Sequence, residues 1–303
     1  LEASVVGLGG MRMSWEYMLP HRDRALETIH TALDLGITLL DTANVYCPFW
    51  DEMGHNERLI AEALRTYTGP ADVSRVVIAT KGGLLRHDGD EWTRNAHVDS
   101  LRRSCEQSCA DLGVDAIAIY QLHRTDPTMT FVEQMRSLRT LQDEGLVVRI
   151  GLSNVTIEEL PVALEVLGGP GDGGLVSIQN EWSPKHRGDA EVLDRCGELG
   201  IAFLPWSPLG GTDESRIIGS RFAPIAEVAD EVDATPQEVT LAWEIASSPV
   251  MIPIPGATTP QTVASIARSA TLQLSTDQVA RIDATVPDGT SMATKDPQRS
   301  PLR

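Results

Sequence analysis

Along the chain, short unbroken apolar runs alternate with longer stretches in which apolar residues return every three to four positions. The runs have strand length and cover 4–11, 37–41, 76–80, 116–121, 147–152, 175–179, 201–205 and 250–254. The periodic stretches predict helices over 22–35, 57–67, 97–112, 130–144, 156–167, 189–199, 235–247 and 260–269, with an extra piece near 222–231. In the first of these, Ala25, Ile29, Ala32 and Leu33 share a face and Gly36 supplies the stop. Strands that each precede a helical segment predict a parallel sheet with right-handed crossovers. Eight such units in 303 residues fit a single-domain α/β protein, a (β/α)8 TIM barrel. An open doubly wound sheet is the alternative, but GLGGM after the first run lacks the G-x-G-x-x-G spacing of a dinucleotide-binding turn. The tail from about Pro287 is rich in Thr, Ser, Pro and charge and predicts a mobile end.

Three of the predicted strands close on an ionisable residue. ITLL stops at Asp41, VVIAT at Lys81 and IAIYQL at His123, and Tyr46 follows Asp41 in a small-residue loop. Asp41 alone reads equally well as a capped turn; the recurrence changes the picture. In a parallel barrel, strand ends meet at the C-terminal face, where active sites sit, so the four groups converge. A free tyrosine, with a pKa near ~10, is a poor proton donor at neutral pH. An adjacent Lys81 ammonium lowers that value, and Asp41 keeps the ammonium charged. His123 then hydrogen-bonds and orients a substrate oxygen. Such a relay suits protonation of an oxygen on which negative charge develops, as in carbonyl reduction by hydride. The hydride needs a cofactor, because no side chain donates one. Ser153, Asn154 and Gln179, at further strand ends, match the donors and acceptors of a carboxamide. Trp206 offers a face on which a planar ring can stack. Asn154 also reads as a cap for the helix beginning near Thr156, and Trp206 as barrel core.

Charge narrows the partners. A net charge of −18 and a pI near 4.7 argue against nucleic acid or an anionic membrane as partner, since both require basic patches. They also demand local cations for any anionic ligand. Cys47, Cys105, Cys109 and Cys196 form no C-x-x-C and no disulfide framework, and the seven histidines show no H-x-x-x-H, so no metal site is expected. No signal peptide is visible, and Pro249, Pro253, Pro255 and Pro260 break the uncharged run from Ile245 to Ala267. The expectation is a reduced, cytoplasmic protein.

From GLGGMRMS through GITLLDTANVY, NERLIAEAL, VIATKGG, IYQLHRTDP, IGLSN, SIQNEWSP and LPWSPLGG to IPIPGATTP, the chain resembles the aldo-keto reductase superfamily. HNERLIAEALRTY, ATKGG followed by Trp92, and YQLHRTDP are similar to its bacterial pyridoxal-reducing members. The resemblance implies NADP(H)-dependent interconversion of a small carbonyl compound and its alcohol, with NAD(H) as a second possible cofactor. It implies Tyr46 as general acid, Lys81 and Asp41 as its activating pair and His123 as the orienting residue. Ser153, Asn154 and Gln179 match the nicotinamide carboxamide binders, Trp206 the stacking ring, and Ser207, Leu209 and Gly210 the pyrophosphate loop. Gly10, where paired glycines let a ligand approach, Met11, Gly256, Thr258 and Thr259 complete the expected cofactor contacts. The departure is near the C-terminus: where the family has a basic residue or two and then an E-N pair, this chain has Thr258, Thr259, Ser265 and Ile266. Arg268 is the nearest cation for the adenosine end. Trp15, Phe49, Trp50 and Trp92 are the aromatic residues expected to line the substrate pocket.

A different class of reading is a nicotinamide-binding regulatory module, as the potassium-channel β-subunits of this superfamily are. A barrel isomerase or lyase without nicotinamide leaves Trp206 and the Ser153, Asn154, Gln179 set unexplained. Substrate, direction and oligomeric state are open at the level of sequence.

Overall fold

A computed structural model describes residues 2–285 and 295–302. Among these residues nine strands are found: β1 (Gly7–Gly9), β2 (Leu39–Asp41), β3 (Val77–Gly82), β4 (Leu84–His87), β5 (Glu91–Arg94), β6 (Ile117–Leu122), β7 (Val147–Ser153), β8 (Leu175–Gln179) and β9 (Ala202–Phe203). The α-helices are α1 (Arg22–Asp34), α2 (His55–Thr66), α3 (Val98–Leu112), α4 (Phe131–Asp143), α5 (Glu159–Leu167), α6 (Ala190–Leu199), α7 (Thr212–Arg221), α8 (Ala223–Glu231), α9 (Pro236–Ser247), α10 (Pro260–Ser269) and α11 (Thr276–Asp283).

Seven strands form one parallel sheet in the order β1-β2-β3-β6-β7-β8-β9. The predicted strand at 250–254 closes it but is not a regular strand. Pro253 and Pro255 have no N–H to give a ladder. Their carbonyls instead accept from Gly7 N and Gly9 N at 2.8 and 2.9 Å. On the other side, Phe203 N donates to Val250 O and Ile252 N to Phe203 O. The sheet thus becomes a (β/α)8 barrel, as expected.

Inward positions of the strands meet in a small apolar cluster of Leu39, Val77, Ala79, Ile119, Leu204 and Ile254. A larger apolar core lies between the sheet and the helices; all four cysteines are buried and free, Cys105, Cys109 and Cys196 within that core and Cys47 at the cavity. Register carries the inner face upward to the site. Asp41 pairs with Ala79, and Lys81 lies two residues further along the same face, opposite Gln121. On the far side Ser153 pairs with Gln179.

Two elements depart from the expected alternation. LLRHDGDEWTR is an antiparallel hairpin, β4–β5, turning at Asp88-Gly89 with Gly89 at φ 75°. Helix α7 follows Gly210 and Gly211, at φ 77° and 93°, where no helix was expected. The tail expected to be mobile from about 287 begins in residues 286–294, outside the described residues. Residues 295–302, in contrast, are docked. Asp296 takes two hydrogen bonds from Arg94, Arg299 pairs with the buried Glu159, and Pro301 O accepts from Phe131 N. Among the described residues, no helix is long and apolar enough to cross a membrane.

Candidate active site

The strand ends surround a cavity of about 790 Å³, within the range of small-molecule sites. At its floor Lys81 is fully buried, and its Nζ donates to Asp41 Oδ1 and Oδ2 and to Thr42 O, each at 2.8 Å. The same Nζ reaches Tyr46 Oη at 3.2 Å and lies 4.9 Å from the phenol ring centre. The His123 ring meets Tyr46 edge to face, with centres 5.8 Å apart. The structure therefore brings Asp41, Tyr46, Lys81 and His123 together; Lys81 lies beneath the cavity and the other three line it.

Burial decides the electrostatics. It pushes the Tyr46 phenol above its ordinary pKa, and the Lys81 ammonium offsets this only in part. The expectation of a lowered tyrosine value does not hold, because desolvation of the phenolate outweighs one ammonium already shared with Asp41. Burial also pulls on Lys81, but Asp41 and then Tyr46 more than compensate, and the net direction is upward. Lys81 is thus an ammonium at neutral pH. Burial, followed by the charges of Lys81 and Arg124, holds His123 well below its usual range, so its imidazole is neutral. A neutral ring offers one N–H to a substrate oxygen. The arrangement comprises a protonated phenol held by a cation, with a neutral donor beside it.

The polar set at β7 and β8 has one unused acceptor. Gln179 Nε2 donates to Asp41 Oδ1 at 2.7 Å, which fixes the amide's orientation because a carboxylate only accepts. Asn154 Nδ2 donates to Ser153 Oγ and His123 O, and its buried Oδ1 has no partner. Asn154 is not a helix cap: its φ is 60°, and α5 begins only at Glu159. An orphaned amide acceptor beside Ser153 and Gln179 fits the NH2 of a carboxamide. Trp206 packs on the inner cluster and also lines the cavity. Ser207, at φ 51°, and Leu209 line it too, followed by Gly211, Thr212 and Ser215 at the start of α7. These features fit the nicotinamide and pyrophosphate ends of a dinucleotide.

The other expected contacts divide into two groups. Met11, Trp15, Trp92 and Gly256 line the cavity; Gly10, Gly210, Phe49, Trp50, Thr258 and Thr259 do not. Gly10 is required by the protein: a Cβ there would stand 2.3 Å from Asn56 Oδ1. Phe49 and Trp50 are each 42% exposed, and the short turn Trp50–Glu52 buries none of its residues. Thr259 is spent on capping α10, where its Oγ1 accepts from Thr262 N. Arg268 lies 3.5 Å from Glu238 and is also outside the cavity lining.

Arg12, Arg86, Arg124, Thr212 and Ser215 line the cavity without having been singled out from sequence. Arg86 was findable, since Asp88-Gly89 between two short runs is a hairpin signal. Gly-Gly followed by Thr-Asp-Glu was a helix-start signal for α7. Arg124 had only its place after His123. Among the described residues, no three His, Cys, Asp or Glu side chains group as a metal site would.

Residues 5–287 match the profile of the Aldo/keto reductase family. An uncharacterized oxidoreductase of Schizosaccharomyces pombe is 31% identical over 281 residues, covering 92% of this chain and 85% of that protein. The pyridoxine 4-dehydrogenase of Escherichia coli is 30% identical over 260 residues, covering 83% and 84%. Among solved structures, the glycerol dehydrogenase of Gluconobacter oxydans superposes with a TM-score of 0.78 at 23% identity, covering 93% of this chain and 90% of that one. An aldo/keto reductase of Klebsiella pneumoniae in complex with NADP and acetate gives 0.74 at 24% identity, covering 92% and 90%. The fold, the span of the match and the identity to curated oxidoreductases agree: this chain belongs to the aldo/keto reductase family.

Proposed function

We propose that the protein interconverts an aldehyde or ketone and its alcohol with NADP(H), using Tyr46 as the general acid in the direction of reduction. The observation that carries this reading is the position of Lys81 Nζ, within hydrogen-bond reach of both Asp41 oxygens and of Tyr46 Oη. Trp206, Asn154 and Gln179 would hold a nicotinamide by its ring and carboxamide, and that group would supply the hydride. The substrate oxygen accepts hydrogen bonds from Tyr46 and from neutral His123. As charge develops on that oxygen, the Tyr46 proton moves to it, and Lys81 stabilises the phenolate left behind. Asp41 keeps Lys81 charged throughout, and Gln179 holds Asp41. In the oxidative direction the phenolate takes the proton back.

Membership of the family supports use of NADP(H), and the absence of Lys and Arg from 255–267 supports weak discrimination against NAD(H). Residues at the start of α7 are the candidates to receive the pyrophosphate. The test is consumption of NADPH with a panel of aldehydes, ketones and, in reverse, alcohols. Turnover of at least one is the expected result. Tight NADPH binding with no turnover across the panel would favour a regulatory nicotinamide-binding module.

A further inference from the structure

The cavity is electropositive on a strongly acidic protein. Arg12, Arg86 and Arg124 line it against Glu16 and Asp41, and Asp41 is already neutralised by Lys81. On a chain of net charge −18, three arginines around one cleft focus a field that attracts anions. The three are differently engaged. Arg12 runs beside Gly256, with its Cδ 3.4 Å from where a Cβ would stand, and donates to Tyr17 Oη. Arg86 donates to Cys47 O at 2.7 Å and lies over the Trp92 ring.

Arg124 differs from both. Among the described residues its guanidinium donates no hydrogen bond, and its only ion-pair partner is Asp296, at 3.9 Å. Asp296 is itself committed, taking Arg94 in a bidentate pair at 2.7 and 3.1 Å. Asp296 thus faces two guanidinium groups, which leaves at Arg124 a surplus of positive charge that Glu181 offsets only in part. The side chain is 23% exposed and lines the cavity, so the surplus is neither buried in protein nor freely in bulk water. Arg124 directly follows His123, and through Asp296 it adjoins Arg94 of β5, the strand that also carries Trp92. That puts it beside the hairpin, and its charge also reaches Glu181, whose backbone bridges to Trp206. A fork of five N–H donors with no acceptor matches a carboxylate in shape and charge.

We propose that Arg124 determines substrate class: the compound reduced carries a carboxylate, which Arg124 holds while its carbonyl meets Tyr46 and His123. This rests on the reductase reading above.

The test compares 4-carboxybenzaldehyde with 4-formylbenzamide, of near-equal shape and different charge, in the wild-type protein, Arg124→Gln and Arg124→Lys. Binding of benzoate and benzamide to the NADPH complex is followed in parallel by tryptophan fluorescence. The wild type is expected to favour the anionic aldehyde in kcat/KM by about tenfold or more. In Arg124→Gln that ratio collapses towards one, and Arg124→Lys retains part of it. Benzoate is expected to bind more tightly than benzamide only where residue 124 is cationic. Turnover without anion preference, or a preference that survives Arg124→Gln, overturns the proposal and leaves the reductase reading intact. Arg124-dependent benzoate binding with neither aldehyde turned over supports the anion site and counts against the reductase reading. Neither turnover nor selective binding overturns both.

Discussion

Gln179 Nε2 donates at 2.7 Å to Asp41 Oδ1, on the same carboxylate that Lys81 Nζ holds through both oxygens. The two residues are 138 positions apart and meet across the barrel interior. Gln179 is therefore part of the charge relay as well as a candidate cofactor contact. Gln179→Leu should destabilise the cofactor-free protein by about 1–3 kcal/mol, because it strips a buried charge of a donor. Urea denaturation without nucleotide measures it; unchanged stability would mean that the residue serves the cofactor alone.

Lys81→Met leaves Asp41 buried with Gln179 as its remaining side-chain donor. A loss of roughly 3–5 kcal/mol is expected, together with loss of turnover. Adding Asp41→Asn should recover part of the stability and none of the activity. A double variant no more stable than the single one would contradict the pairing.

Glu57, on α2, is fully buried and accepts from Thr80 Oγ1. Burial pushes its carboxyl from 4.5 up to about 7. The folded value lies above the unfolded one, so the folded state binds the extra proton between them. Glu57's contribution is then complete below about 4.5 and is lost as pH rises towards 7. Glu57→Gln, which keeps an acceptor for Thr80, should match the wild type near pH 4.5 and be more stable at pH 8 by roughly 2–3 kcal/mol. Thermal unfolding at the two pH values checks this; equal differences at both would contradict it.

The barrel was legible because strand runs and helical periodicity alternate along most of the chain, and Asp41, Lys81 and His123 were legible because each ends such a run. What sequence could not show was the balance of opposing terms. The ammonium beside Tyr46 was readable, but not the burial that outweighs it. Phe49 and Trp50 are aromatic and near Tyr46 in sequence, yet the chain turns them out of the cavity. The docking of Asp296 on Arg94 joins residues 202 apart, and no local pattern encodes it.

Cofactor choice follows from the same geometry. Thr259 caps α10 and Arg268 faces Glu238, so no cation of that segment lines the cavity. Dissociation constants for NADPH and NADH at one ionic strength should differ by about tenfold or less, near 1.4 kcal/mol. Arg268→Ala should leave the ratio unchanged. A preference for NADPH of about a hundredfold would make Arg12, beside Gly256, the next residue to replace.

The central claim is that Tyr46 gives the proton. Turnover and NADPH affinity of Tyr46→Phe, measured side by side, test it most directly. The variant should lose roughly 10²–10⁴ in kcat while its NADPH dissociation constant stays within about threefold of the wild type. Retention of more than about a tenth of wild-type turnover would contradict the assignment.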